Sequence, residues 1–475
     1  MDTKAAKAPR LIDIETSNLG DRNKLILSLT WPALAENILA TLVSMADTMM
    51  VGALGPKAIS AVGLVTQPRF IMLSAFMALG IGTTALVARA KGKGDQDEAN
   101  QALKQSLVLS VGILIIICTA MLIWMRPLIG FIAGKNIDAE SIEMACDYCR
   151  IQIYGFPFLG LTFMMNAALR GAGNTRAAFY SNTAANIVNV ILNFLLIYQP
   201  RNITVLGKTF FMWGAGMGVA GASLATIIGQ FVAFLFCLYL LLNGKQYVCL
   251  KGGGSFRPDF SMIRRIAKVG MPAMIEQLIL RVGMMLFTLI TTSLGDTPYA
   301  THIIAMNIQS LSFTTGMSFG TAATTLTGQS LGRKNPDLAK WYVKRTLMFN
   351  LITSVVVALV LFFFGGSLAR LYGNNGPEII ALAAVVLRII AVANPMSNSR
   401  FIYNSALRGA GDSTFTAIST FVGIAFIRPL IAGLLVYVFH TGLIGVWIAL
   451  VSDALVCYIL AIWRWKSEKW ASIVV

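Results

Sequence analysis

Between Leu25 and Trp465 the sequence returns again and again to apolar stretches near the ~20 residues that cross a bilayer. They fall near 25–51, 58–88, 103–125, 145–169, 175–199, 214–242, 266–293, 298–328, 345–365, 380–407, 413–438 and 442–464. Hydrocarbon offers backbone amides no partner, so only helices or a closed barrel can span it. Runs of this length read as helices. The expected fold class is therefore an all-α integral membrane protein with twelve transmembrane helices. Charged residues make up only 12% of the 475, against about a quarter in soluble proteins. A large soluble domain has no room.

The net charge of +17 is distributed as a topology signal and not as a nucleic-acid footprint. Lys and Arg gather in 89–104, 245–268 and 333–345, and in the tail from Arg464 with Lys466 and Lys469. The loops between them hold only about six basic residues, which places both termini in the cytoplasm by the positive-inside rule. No cleavable signal is expected, since the first 24 residues are polar. The polar segments 126–144 and 366–379 read as short amphipathic helices on the outer surface. Cys146 and Cys149 form a lone CxxC without a second pair, and His302 and His440 are the only histidines. Neither pattern points to a metal centre, a cofactor or an enzyme.

Shifting the chain by 240 residues lays Leu29–Gly55 on Val269–Gly295. Pro32 meets Pro272, Glu36 meets Glu276, Asn37 meets Gln277, and the register continues through Gly80/Gly320 and Gly92/Gly332. At a shift of 238, LRGAGN (169–174) falls on LRGAGD (407–412). The chain is thus a duplicated six-helix unit, and a shift spanning an even number of helices makes the repeats parallel. The expected layout is a cytoplasmic segment 1–24, an N-lobe 25–243, a linker 244–265 carrying GGG at 252–254, a C-lobe 266–465 and a tail 466–475. Two such lobes, related by a pseudo-twofold axis, are expected to enclose a central cavity and to work by alternating access.

The repeat carries an asymmetric set of polar groups. Glu36 and Asp47 lie eleven residues apart in one span, about three turns, and so face the same way. An ionisable group in a span is a functional-site candidate by default. The pair reads either as structural acids neutralised by partner helices or as a cation- or proton-handling face. Asp47 meets Phe287 in the second repeat, so the first lobe alone keeps this acid. Span five presents Asn182, Asn186, Asn189 and Asn193 on one helical face, read as a polar wall opposite Asp47. Glu276, Arg281, Arg428 and Asp453 are the ionisable groups of the second lobe. Glu276 and Arg281 diverge along their helix, whereas Arg428 with Asp453, or Arg281 with either acid, can pair across helices. Gln67, Asn307 and Gln309 add polarity to span two of each lobe.

With PALAEN…MADTMMVGALG, LRGAGNT, LRGAGDS and NIVNVILN in view, the chain resembles the multidrug and toxic compound extrusion (MATE) family over nearly all of 25–465. Glu36 looks like a feature of prokaryotic members close to the DNA-damage-inducible branch. The resemblance implies export of small organic compounds, cationic or amphipathic, driven by H⁺ or Na⁺ entry. It implies Asp47 as the coupling carboxylate for H⁺ or Na⁺, with Asn189 and Asn193 as its partners; Asn186, on the same helical face, is expected beside them. Glu36, Glu276, Gln67, Asn307, Gln309 and Arg281 are the expected substrate-cavity residues. The expected setting is the inner (plasma) membrane of a prokaryote, with the protein monomeric and multi-pass and no nucleic-acid partner. The alternative is a flippase for a lipid-linked precursor, for which an Arg-lined cavity would speak; Arg69, Arg281 and Arg428 are its candidates. A reporter fused after residue 475 is expected to be active only as a cytoplasmic fusion; an active periplasmic phosphatase there would reverse the assigned topology.

Overall fold

The computed structural model describes residues 18–133, 138–205, 208–370 and 376–473. Twelve long helices follow one another. They are α1 (Leu19–Gly52), α2 (Pro56–Lys93), α3 (Gln96–Ala133), α4 (Ala139–Gly171), α5 (Thr175–Leu196), α6 (Gly218–Leu242), α7 (Phe260–Thr292), α8 (Asp296–Gly332), α9 (Pro336–Arg370), α10 (Pro377–Gly409), α11 (Ser413–Val438) and α12 (Gly442–Lys466). Most outrun the bilayer: the 38 residues of α3 extend about 57 Å at 1.5 Å each. That length corrects one expectation. Among the described residues, those of 126–144 and 366–379 form no separate surface helices, because α3 continues to Ala133, α4 starts at Ala139, α9 reaches Arg370 and α10 starts at Pro377. They are the end turns of the spans themselves. Residues 134–137 and 371–375 lie outside the described residues, as do 1–17 of the expected cytoplasmic segment.

Nine of the described helices are long and apolar enough to cross a membrane. The other three, α4, α5 and α8, are interrupted by polar side chains, α5 by its four asparagines. Between α5 and α6 the chain forms a two-stranded antiparallel hairpin, β1 (Arg201–Val205) on β2 (Lys208–Met212), with Arg201 opposite Met212. Periodicity gave no hint of it. In α11 the turns Phe421–Ile427 and Leu434–Val438 are π-helical, flanking Pro429, which withholds a backbone donor.

The two LRGAG motifs make the same corner. Gly173 and Gly411 stand at φ 80° and 90°, where a side chain would be strained. Ala172, Gly173 and Asn174 donate back to the carbonyls of Ala168, Arg170 and Leu169 at 2.8–2.9 Å, and Ala410, Gly411 and Asp412 do the same to Ala406, Arg408 and Leu407 at 2.8–3.0 Å. Asn174 then caps α5, its Oδ1 accepting from Ala177 N at 3.1 Å. Each motif is a helix stop followed by a helix start.

The chain divides into two compact units. The first holds Ala35–Thr83 and Gln96–Arg264; the second holds 18–34, Thr84–Asp95 and 265–473. In the first, α2 and α4 cross closely: a Cβ on Gly80 would meet the Phe163 ring at 2.7 Å, and one on Gly160 the Phe76 ring at 2.8 Å. The segment after α6 is strapped to the start of α3. Lys104 Nζ donates to the carbonyls of Gly252 and Gly254, both at 2.9 Å, and Gln105 to those of Ser255 and Arg257. A Cβ on Gly253 would fall 2.0 Å from Asp97 Oδ1. The GGG stretch is a close-fitting strap, with glycine chosen for contact distance.

In the second unit α10 packs on α8, α9 and α12. Ile26 and Leu29 of α1 are buried with Ala322, Leu326, Leu338 and Tyr342. Arg22, just 7% exposed, lies 5.2 Å from the Trp341 ring centroid. The end of α2 crosses the end of α8 at repeat-related glycines: a Cβ on Gly92 would stand 2.0 Å from Gln329 O and 2.9 Å from Gly332 Cα, and one on Gly332 2.1 Å from Arg89 O. Small residues let membrane helices approach to backbone contact. Gly92→Val is expected to lower the thermal midpoint in detergent, by an overpacking penalty of about 1–3 kcal/mol, while Gly94→Val, with nothing within 4 Å, tests backbone strain alone at its positive φ.

Candidate functional site

A cavity of about 660 Å³ opens inside the first unit, lined from α1, α2, α4, α5 and α6. Helical periodicity delivers α1's contribution: Glu36, Ala40, Val43, Ser44 and Asp47 share a face and all line it. From α5 come Asn182, Asn186, Asn189 and Asn193, again one face of one helix. The asparagine wall and both first-lobe acids therefore do meet.

Asp47 is held by carboxamides. Asn193 Nδ2 donates to its Oδ1 at 2.6 Å. Asn189 satisfies its surroundings with its amino group turned to the same oxygen at 3.0 Å and its oxygen turned to Thr226 at 3.3 Å. Asn193 Oδ1 has no hydrogen-bond partner among the described residues. A carboxylate and an unused carbonyl oxygen thus lie together in a polar recess whose walls include Gly229, where a Cβ would crowd Ala185 O at 2.7 Å. Among the described residues no cluster of three or more His, Cys, Asp or Glu offers a conventional metal site. Cys146 and Cys149 are buried free thiols.

Glu36 belongs to a different kind of contact. Its Oε1 accepts from Arg170 Nη2 at 2.5 Å and from Asn182 Nδ2 at 2.7 Å, while Oε2 has no partner among the described residues. The second repeat repeats the pair. Glu276, 2% exposed, accepts from Arg408 and from Thr420 at 3.0 Å on Oε1, and from Thr416 at 3.0 Å on Oε2. Arg170 and Arg408 are the arginines of LRGAGN and LRGAGD, and Asn182 and Thr420 are related by the same 238-residue shift. Sequence reasoning quoted the motifs and missed their partners. The signal was present, since acid and arginine recur at nearly one shift. Glu276 was expected to flank the cavity and attract cations; its carboxylate accepts from three side chains, and it is not among the residues lining the first unit's cavity.

The remaining expected residues scatter. Gln67 is exposed and is not among the residues lining this cavity, whereas Thr66, Arg69 and Phe70 on the same helix are. Arg281 and Asn307 are exposed in the second unit, and Gln309 is buried there, 3% exposed. Arg428 pairs with Asp453, Nε to Oδ1 at 3.2 Å and Nη2 to Oδ2 at 2.9 Å, with its guanidinium 5.3 Å from the Phe287 centroid. Of the pairings left open by sequence, that one forms.

Several positions that line the first unit's cavity have buried apolar counterparts in the second unit. Phe287 stands for Asp47, Val386 for Tyr148 and Gln309 for Arg69; aligning Gly218 with Gly442 sets Trp447 against Ser223. Phe287, Val386 and Trp447 are fully buried in one apolar cluster. Breaking a buried ion pair from one side costs about 3–5 kcal/mol. Glu276→Gln is thus expected to lower detergent thermal stability more than Glu36→Gln, whose acid engages only one oxygen, and adding Arg408→Gln to Glu276→Gln should recover part of the loss.

The MatE family matches this chain twice, over residues 32–195 and 272–434, which is the internal repeat. Along most of its length it is similar to a probable multidrug resistance protein NorM of Thermotoga maritima, at 29% identity over 94% of this chain and 93% of the relative. It is similar to multidrug resistance protein MdtK of Cronobacter sakazakii at 26% identity, over 93% and 94% respectively. Its fold matches a solved outward-facing conformation of a multidrug resistance MATE family transporter of the MOP superfamily. The TM-score is 0.84 at 24% identity, covering 94% of this chain and 97% of the other. A duplicated twelve-helix membrane fold matched in both halves leaves one assignment: the chain belongs to the MatE family, whose members are transporters and not enzymes.

Proposed function

We propose that the protein is a cation-coupled efflux antiporter for small organic compounds, working by alternating access in the plasma membrane of a prokaryote with both termini in the cytoplasm. The names of its relatives support export of drugs. The observation that carries the coupling is Asp47, a carboxylate inside a membrane-spanning unit, bound by Asn193 at 2.6 Å and facing a cavity of about 660 Å³. The charge of an acid inside a span is met in full only by a group in contact with it, here a proton, a sodium ion or a cationic group of the substrate. Carboxamides orient it but bring no charge. Arrival of one neutralising partner therefore favours departure of another, and exchange follows from a single site. Asn189 and the unused Oδ1 of Asn193 suit a coordinated cation as well as a proton. Glu36, Asn182 and Asn186 shape the far wall for the substrate.

Asp47→Asn keeps the size and the hydrogen bonds and removes the charge. In proteoliposomes, the variant is expected to insert normally and to lose export driven by an imposed pH or Na⁺ gradient. Export that persists at the wild-type rate under either gradient would refute the assignment of Asp47.

A further inference from the structure

Arg69 is the cation of this cavity that the coupling scheme does not use. It stands on α2 directly after Pro68 and lines the cavity with Asp47 and Tyr148. The motif arginines Arg170 and Arg408 and the deep Arg428 are each bound by a carboxylate. Arg69 makes no hydrogen bond and no ion pair among the described residues, although it is half-buried. It is within electrostatic range of Asp47 without touching it, and Tyr148 lies within range of both. The Tyr148 hydroxyl, too, has no hydrogen-bond partner among the described residues, while the residue as a whole is 7% exposed. Five guanidinium donors and a phenol thus face a space large enough for a drug-sized molecule. The other groups lining that space are apolar, carboxamide or hydroxyl, together with the two carboxylates, Asp47 and the already bonded Glu36.

We infer that Arg69 and Tyr148 form an oxyanion-recognition site, so that the cavity takes zwitterionic organic molecules, with the carboxylate on Arg69 and the cationic group on Asp47. An unpaired guanidinium in a membrane interior is costly, and its planar fork matches a carboxylate in two parallel hydrogen bonds. Arg69 has no cationic counterpart in the second repeat, where Gln309 takes its place and Val386 that of Tyr148. The inference rests on the cavity being the substrate site and adds the polarity of what it holds.

The test uses the full-length protein in phosphatidylcholine nanodiscs, with rhodamine B and its ethyl ester as probes read by fluorescence polarisation. The two dyes share the cationic xanthene and differ in the free carboxylate. Arg69→Gln is expected to weaken rhodamine B by about tenfold or more and to leave the ester within about twofold; Arg69→Lys, keeping charge without the fork, should fall between. Tyr148→Phe, which retains the ring packing, should weaken only rhodamine B. Benzoate should compete with rhodamine B and not with the ester. Equal losses for both dyes, or no loss for either, would overturn the oxyanion site while leaving a cation-binding cavity. Competition by dihexanoyl phosphatidic acid with none by benzoate would reassign Arg69 to a lipid headgroup and overturn the zwitterion assignment. Failure of the wild type to bind either dye would remove the cavity as a substrate site, and the inference with it.

Discussion

Two glutamate–arginine contacts between helices hold this molecule's design together. Glu36 with Arg170, and Glu276 with Arg408, each join the span that opens a repeat to the corner after its fourth span. Charge within a span is tolerated only in company, so neither acid can leave its arginine without cost. The LRGAG corner supplies the arginine at a fixed place because its terminal glycine adopts a backbone that other residues resist. Turn chemistry and buried electrostatics are thus one device, used twice.

What differs between the copies is what the device surrounds. In the first unit, small residues and carboxamides leave space beside Asp47. In the second, Phe287, Val386 and Trp447 close it, and Arg428 is committed to Asp453 over the Phe287 ring. Duplication supplied a second frame, and large side chains consolidated it. One half keeps a chamber with an acid and an unpaired guanidinium; the other buries apolar side chains at the positions matching Asp47 and Tyr148.

Much of this was legible in the chain. Apolar run length foretold the helices, and the 240-residue shift foretold the repeat, because both depend on spacing alone. Asp47, Asn189 and Asn193 came together because helical periodicity puts each set on one face before any tertiary contact is known. Contacts between helices were harder. The partner of Glu276 was hidden because Arg408 is 132 residues away, and nothing local announces a partner at that distance. Gln67 and Arg69 are two residues apart on α2, yet only Arg69 lines the cavity, since such neighbours do not share a helix face. The hairpin after α5 and the strap after α6 depend on backbone hydrogen bonds that composition does not encode.

The boundary between the compact units runs through helices, not between them. Residues 18–34 of α1 and Thr84–Asp95 at the end of α2 belong with the second unit, Ile26 and Leu29 being buried against α8 and α9 and the end of α2 meeting α8 at Gly92 and Gly332. The ancestral halves have therefore become entangled. A gene cut at the midpoint would yield one fragment carrying orphaned apolar stubs and another with a naked groove where those stubs once sat. The descendant of a duplication can no longer be returned to a pair of self-sufficient subunits, and evolution of either half is now answerable to the other.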